Sequence, residues 1–199
     1  MPDLTTATAP VLDEISVIHT LGPAGTNLEM AAHHWFTSRG RHPDVRLHST
    51  LESAVPGLSD DGHEALLACA VYPELHYLVF RNLGRLAMVD SFILPTYDMV
   101  FATRDASPDA AEVATVVSHP APQTLVRRVS PRAALRLVTS NSAAARECAS
   151  GAAEGCVTTS KAAADQGLVI RRNFGPVPMV YTLHVAGGVA AAAGQGPAG

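Results

Sequence analysis

The segment Leu21-Gly22-Pro23-Ala24-Gly25-Thr26-Asn27 joins two glycines to a Thr-Asn-Leu-Glu sequence suited to opening a helix. The glycines permit a close approach to the backbone, with no side chain in the way. In a capping box the Thr26 hydroxyl accepts the N–H of Glu29, and the Glu29 carboxylate returns to the N–H of Thr26. The remaining N–H groups and the helix dipole attract a carboxylate or phosphate, which makes Gly22, Gly25, Thr26 and Asn27 candidate anion ligands. A plain tight turn would use the same glycines.

Two later segments repeat this chemistry. Ser118-His119-Pro120 follows an apolar run and opens a helical one, with proline suited to a first helical turn. Ser140-Asn141-Ser142 does the same before Ala143. Ser118, His119, Ser140, Asn141, Ser142 and Ala143 therefore join the candidate ligands, although each serine would serve equally as a helix cap.

The elements that must position these groups alternate. Strand-like Ile15–Leu21, helix-like Thr26–Ser38, strand-like Val45–Ser49, a short helix from Thr50 and strand-like Ala65–Val71 form one series. Within the first helix, Leu28, Ala31, Ala32 and Trp35 recur at helical spacing as its buried face. Strand Ala114–Ser118, helix Ala121–Val129, strand Ala134–Thr139, helix Ser142–Ser150 and strand Gly155–Thr158 form the second series. This order predicts an α/β fold of two lobes with parallel strands joined by helices.

Between the two series, Leu86–Arg104 reads as two extended stretches broken at Pro95, with a crossing between lobes near Tyr97, and Val177–Val185 reads as the return. The expected lobes are 1–97 with 177–186, and 98–176. The Ala- and Gly-rich residues 187–199 are too poor in bulky side chains to pack and are expected to form a disordered tail. The carboxyl ends of parallel strands are where ligands bind, so two such lobes predict a cleft that holds a dianion.

Composition removes other classes. Hydrophobic residues are 47% and charged residues 16% of the 199, which describes a globular chain. A net charge of −4 with scattered Lys and Arg offers no basic stripe for nucleic acid. No apolar run has the length of a membrane span, and the start MPDLTTATAPVLDE lacks the basic and apolar regions of a signal peptide, so a cytoplasmic location is expected. Cys69, Cys148 and Cys156 form no CxxC pair and read as small buried hydrophobes. His33 and His34 are adjacent and project about 100° apart on a helix, and no HxxxH or HExxH occurs, so no metal site is expected.

These residues carry a resemblance. Leu21-Gly22-Pro23-Ala24-Gly25-Thr26, followed by Ala31-Ala32, resembles the opening signature of prephenate dehydratase catalytic regions. Val117-Ser118-His119-Pro120 and Ser140-Asn141-Ser142-Ala143-Ala144-Ala145 resemble two segments of their second lobe. The resemblance spans about residues 15 to 186 and implies a two-lobed, periplasmic-binding-protein-like (type II) fold with an inter-lobe cleft, without a regulatory ACT domain. It also implies prephenate, which carries a ring and a pyruvyl carboxylate, as the small-molecule substrate, and is compatible with a homodimer.

The departures point to a particular branch. Dehydratases carry a Thr-Arg-Phe motif whose Thr helps expel the ring hydroxyl, whereas this chain reads Pro178-Met179-Val180-Tyr181-Thr182-Leu183-His184. Val71-Tyr72-Pro73-Glu74-Leu75-His76 stands in place of another dehydratase loop. The pattern is more similar to the prephenate decarboxylases of the bacilysin and anticapsin type, which remove CO2, keep the hydroxyl and need no cofactor. That reaction requires a grip on the pyruvyl carboxylate, a poorly solvated ring carboxylate and one proton donor. The candidates for the donor are Tyr181, His119, His76 and His184, each equally readable as a core or surface residue. Thr182 stands in for the dehydratase Thr if dehydration is retained, and a non-catalytic acid-binding protein on the same scaffold is the third expectation.

Overall fold

A computed structural model describes residues 9–106 and 109–187. The expected tail from residue 188 onward lies outside the described residues.

The chain divides into two compact units, with boundaries between Leu94 and Pro95 and between Pro178 and Met179. The first unit opens with α1 (Ala9–Glu14), β1 (Val17–Leu21), α2 (Asn27–Thr37), β2 (Val45–His48) and α3 (Leu51–Ala54). It continues through β3 (Glu64–Cys69), α4 (Leu75–Arg81) and β4 (Leu86–Pro95), and the chain returns to it as β10 (Pro178–Ala186). Its sheet has the order β2-β1-β3-β10-β4. β1 runs parallel to both β2 and β3, and β10 runs antiparallel to β3.

Side chains of this sheet alternate between two cores. On one face Ile18, Tyr181, Leu183 and Val185 pack with Ala31, Ala32, Trp35 and Phe36 of α2. Phe36 completes the helix face expected from sequence, while Leu28 only borders the core. On the other face Leu66, Ala68 and Ala186 pack against Leu51, Ala54, Val55 and Leu78.

The second unit holds β5 (Met99–Thr103), β6 (Thr115–Ser118), α5 (Thr124–Arg127), β7 (Ala134–Leu137) and α6 (Asn141–Ala149). β8 (Gly155–Thr159), α7 (Ser160–Asp165) and β9 (Val169–Gly175) complete it. Its sheet order is β7-β6-β8-β5-β9, with β6 parallel to β7 and β8, and β5 antiparallel to β8 and β9.

α5 is shorter than the expected helix Ala121–Val129. Pro120 and Pro122 remove two backbone donors, so the chain passes through turns before a regular helix starts at Thr124. α1, α4, α7 and β9 are additions to the elements expected from the sequence. All three cysteines are buried and unpaired as disulfides. Among the described residues no helix is long and apolar enough to cross a membrane.

Candidate functional site

The β1–α2 turn is shaped by its glycines. Gly25 adopts φ +82°, which an L side chain rarely tolerates. A Cβ on Gly22 would lie 3.3 Å from Leu47 Cβ and 3.4 Å from the His48 carbonyl oxygen, which accepts the Gly22 N–H at 2.8 Å. Thr26 caps α2, accepting the Glu29 N–H at 3.3 Å. The Glu29 carboxylate does not return to Thr26 as expected. It accepts the N–H of Gly25 at 2.5 Å, one residue earlier, because the left-handed backbone at Gly25 brings that N–H to the side chain. The turn thus does bind a carboxylate, supplied by the protein itself.

In the second unit, Ser118 at the end of β6 is buried and turns its hydroxyl onto the His119 carbonyl at 2.9 Å. His119 is half-buried, and its Nδ1 accepts the Ala121 N–H at 3.2 Å. Burial lowers its pKa, so the ring is neutral with its hydrogen on Nε2. Such a ring donates a hydrogen bond to an anion, and is not a ready acid. Ser140 is the N-cap of α6 and accepts the Ala143 N–H at 3.0 Å. The helix starts at Asn141, one residue before the expected Ser142. Asn141 Oδ1 is buried without a hydrogen-bond partner among the described residues, and Ser142 and Ala143 occupy the first turn beside it.

The residues expected to decide the chemistry are spread over both faces of the first sheet. Tyr181 is 1% exposed and packs in the α2-side core, its ring 5.5 Å from Phe92 at 22°. Its hydroxyl has no hydrogen-bond partner among the described residues, and burial holds its pKa well above the usual phenol value. Thr182 and His184 share the opposite face and bond to one another, Oγ1 to Nε2, at 3.0 Å. His184 is 4% exposed, and burial lowers its pKa, so it too is neutral. His76 is exposed on α4, where it helps line a shallow apolar depression with Val71, Tyr72, Val79 and Phe80.

Sequence reading missed one group. His19 of β1 is 2% exposed, and its Nδ1 lies 2.9 Å from Nε2 of His48, the last residue of β2. Its Nε2 lies 3.4 Å from Glu64 Oε2. Glu64 is fixed in turn by Arg46 Nη1 at 3.1 Å and the Ser59 N–H at 3.0 Å. Leu47-His48-Ser49-Thr50 is a strand-to-helix junction like the others, and the rule that ligands sit at strand carboxyl ends would have singled out His48. Among the described residues no group of three or more His, Cys, Asp or Glu is placed to hold a metal ion.

No family model matches the chain. The chain is 27% identical over 187 residues to a prephenate decarboxylase of Bacillus subtilis strain 168, covering 89% of this chain and 90% of that protein. In fold it is similar to the prephenate dehydratase of Arthrobacter aurescens solved with L-Phe, with a TM-score of 0.67 at 16% identity. That likeness covers 85% of this chain and 60% of the dehydratase chain. A periplasmic substrate-binding protein from Coxiella burnetii shares the fold at a TM-score of 0.51 and 13% identity, covering 86% and 84% of the two chains. The α/β fold, with its two mixed sheets, is thus of the periplasmic-binding-protein-like kind.

Proposed function

We propose that this chain is a carboxy-lyase that removes CO2 from prephenate without aromatising it, leaving a dihydro-4-hydroxyphenylpyruvate. The observation that carries this reading is the likeness to a prephenate decarboxylase along nearly the whole length of both proteins. The sequence Tyr181-Thr182-Leu183 supports it, because an arginine and a phenylalanine are absent where a dehydratase would follow its Thr. Thr182 is moreover engaged with His184.

In this reading the ring C–C bond to the carboxylate breaks, CO2 leaves, the electron pair enters the cyclohexadiene and one ring carbon takes a proton. The protein binds the substrate anion, withholds water from the leaving carboxylate and leaves the ring hydroxyl unprotonated. We assign anion binding to Thr26 and Asn27 at the β1–α2 turn, where the Gly22 and Gly25 N–H groups are held by His48 and Glu29 and the glycines shape the loop, and to Ser118, His119, Ser140, Asn141, Ser142 and Ala143 in the second unit. The Nε2–H of a neutral His119 and the donors of the α6 first turn support that assignment. Tyr181 and His184, both buried, are given supporting roles. We place the reaction in specialised, antibiotic-type biosynthesis in the cytoplasm.

Incubating the purified protein with prephenate and weighing the product tests the proposal. Loss of CO2 alone is expected, and Thr182→Ala should still give that product. Enzymatic loss of CO2 and water, abolished by Thr182→Ala, would make the protein a dehydratase. Absence of turnover with retained binding would make it an acid-binding protein.

A further inference from the structure

We propose that His48 supplies the proton that quenches the decarboxylated ring, and that His19 and Glu64 are the positioning residues that fix which nitrogen it presents. The inference rests on the decarboxylase reading above and deepens it. His48 ends β2 at the carboxyl edge of the parallel strands, paired in register with Leu21, and its own carbonyl holds Gly22 of the anion-binding turn. It is half-buried, whereas His19 behind it is wholly enclosed.

The two rings are nearly parallel, at 18° with centroids 5.0 Å apart. A nitrogen–nitrogen distance of 2.9 Å is shorter than face-stacked rings can approach, so they meet edge to edge through one N–H···N hydrogen bond. That bond needs one donor and one acceptor. Burial is the main cause that lowers the pKa of His19, aided by the neighbouring His48 and Arg46 and opposed by Glu64, so His19 is neutral and carries one hydrogen.

With that hydrogen on Nδ1, the Nε2 lone pair of His19 would face the Glu64 carboxylate with no donor between them. With it on Nε2, the hydrogen lies on the side of the Glu64 carboxylate, 3.4 Å away but without the alignment of a hydrogen bond, and Nδ1 is left to accept from His48. The hydrogen bond therefore runs from His48 Nε2–H to His19 Nδ1, and Glu64 favours that tautomer electrostatically across 3.4 Å. His48 is left with Nδ1 as its working nitrogen. When the substrate C–C bond breaks, a protonated His48 gives its Nδ1 proton to the ring carbon, becomes neutral and regains a proton from water. An enclosed imidazole whose neighbours are polar is a costly way to fill a sheet face, which favours a role beyond packing.

The test begins with wild-type protein that releases CO2 from prephenate; if it does not, the decarboxylase reading fails before this one is reached. His48→Ala is then expected to lower kcat about a hundredfold, with KM changed less than about twofold. Added imidazole should restore kcat in a dose-dependent way. Glu64→Gln should lower kcat about tenfold at unchanged KM. A folded His48→Ala protein with wild-type kcat, or with a lost kcat that imidazole does not restore, overturns the proposal. Should His48→Ala fail to fold, His48→Gln keeps an amide donor toward His19, and wild-type kcat in that variant overturns it equally.

Discussion

The first sheet places β1 between β2 and β3, with β10 antiparallel beside β3. The second places β6 between β7 and β8, with β5 antiparallel beside β8. Register therefore matches the two position by position. Val17 pairs with Glu64 and His19 with Leu66, as Val116 pairs with Gly155 and Ser118 with Val157. Where the first unit has the half-buried carboxylate of Glu64 and the enclosed imidazole of His19, the second has a hydrogen and a hydroxymethyl group, and the Phe101 ring fills the space beside Gly155. One topology thus supports a dry face of Met99, Phe101, Val116 and Val157 in one unit and a polar chain in the other. Topology brings the strand ends together, and a few side chains on the central strands decide whether chemistry can happen there.

Transplanting the difference should break the second unit. A Cβ on Gly155 would already lie 2.8 Å from Phe101 Cζ, and the glutamate of Gly155→Glu would find no Arg46 or Ser59 equivalent. An overpacked, uncompensated buried charge should cost about 3–5 kcal/mol in a urea titration. The reverse change, His19→Leu, should alter stability by less than about 1.5 kcal/mol, since Glu64 keeps Arg46 and Ser59, yet should lower kcat.

Helix entry differs in the same way. Ser140→Ala removes the sole side-chain cap of α6 and should cost about 1 kcal/mol of unfolding free energy. Glu29→Gln replaces the charge that meets Gly25 and should cost about 0.5 kcal/mol by the same measurement.

Acid should separate the units with the smallest effect. Burial lowers the pKa of His19 and His184 in the first unit and of His119 in the second. An unfolded chain binds these protons below about pH 6.5 while the folded one does not, so stability falls as pH drops from 7 towards 5. The exposed His63, shifted upward by the Glu14 carbonyl, opposes this in part. Hydrogen exchange followed fragment by fragment should show β1, β3 and β10 losing more protection than β6 and β8; equal losses would contradict the comparison.

Much of the fold was legible because its signals are local. Apolar runs of strand length, the Thr26 and Ser140 caps and the helical spacing of Ala31, Ala32 and Trp35 each lie within a few residues of what they control. α5 misled because two prolines leave its apolar pattern intact while removing its donors. The helix-entry turns were legible as sequence, but the Glu29 carboxylate in the first depends on a backbone angle at Gly25.

The sequence by itself determined the βαβ order, the sites of helix entry and the family resemblance, since each is written in neighbouring residues. Only the tertiary structure decided that Tyr181 is enclosed, that Thr182 answers to His184, and that His19, His48 and Glu64 meet. Those three come from three strands, with 29 residues separating His19 from His48. Parallel pairing and register bring them into contact, and no periodicity along the chain encodes such a meeting.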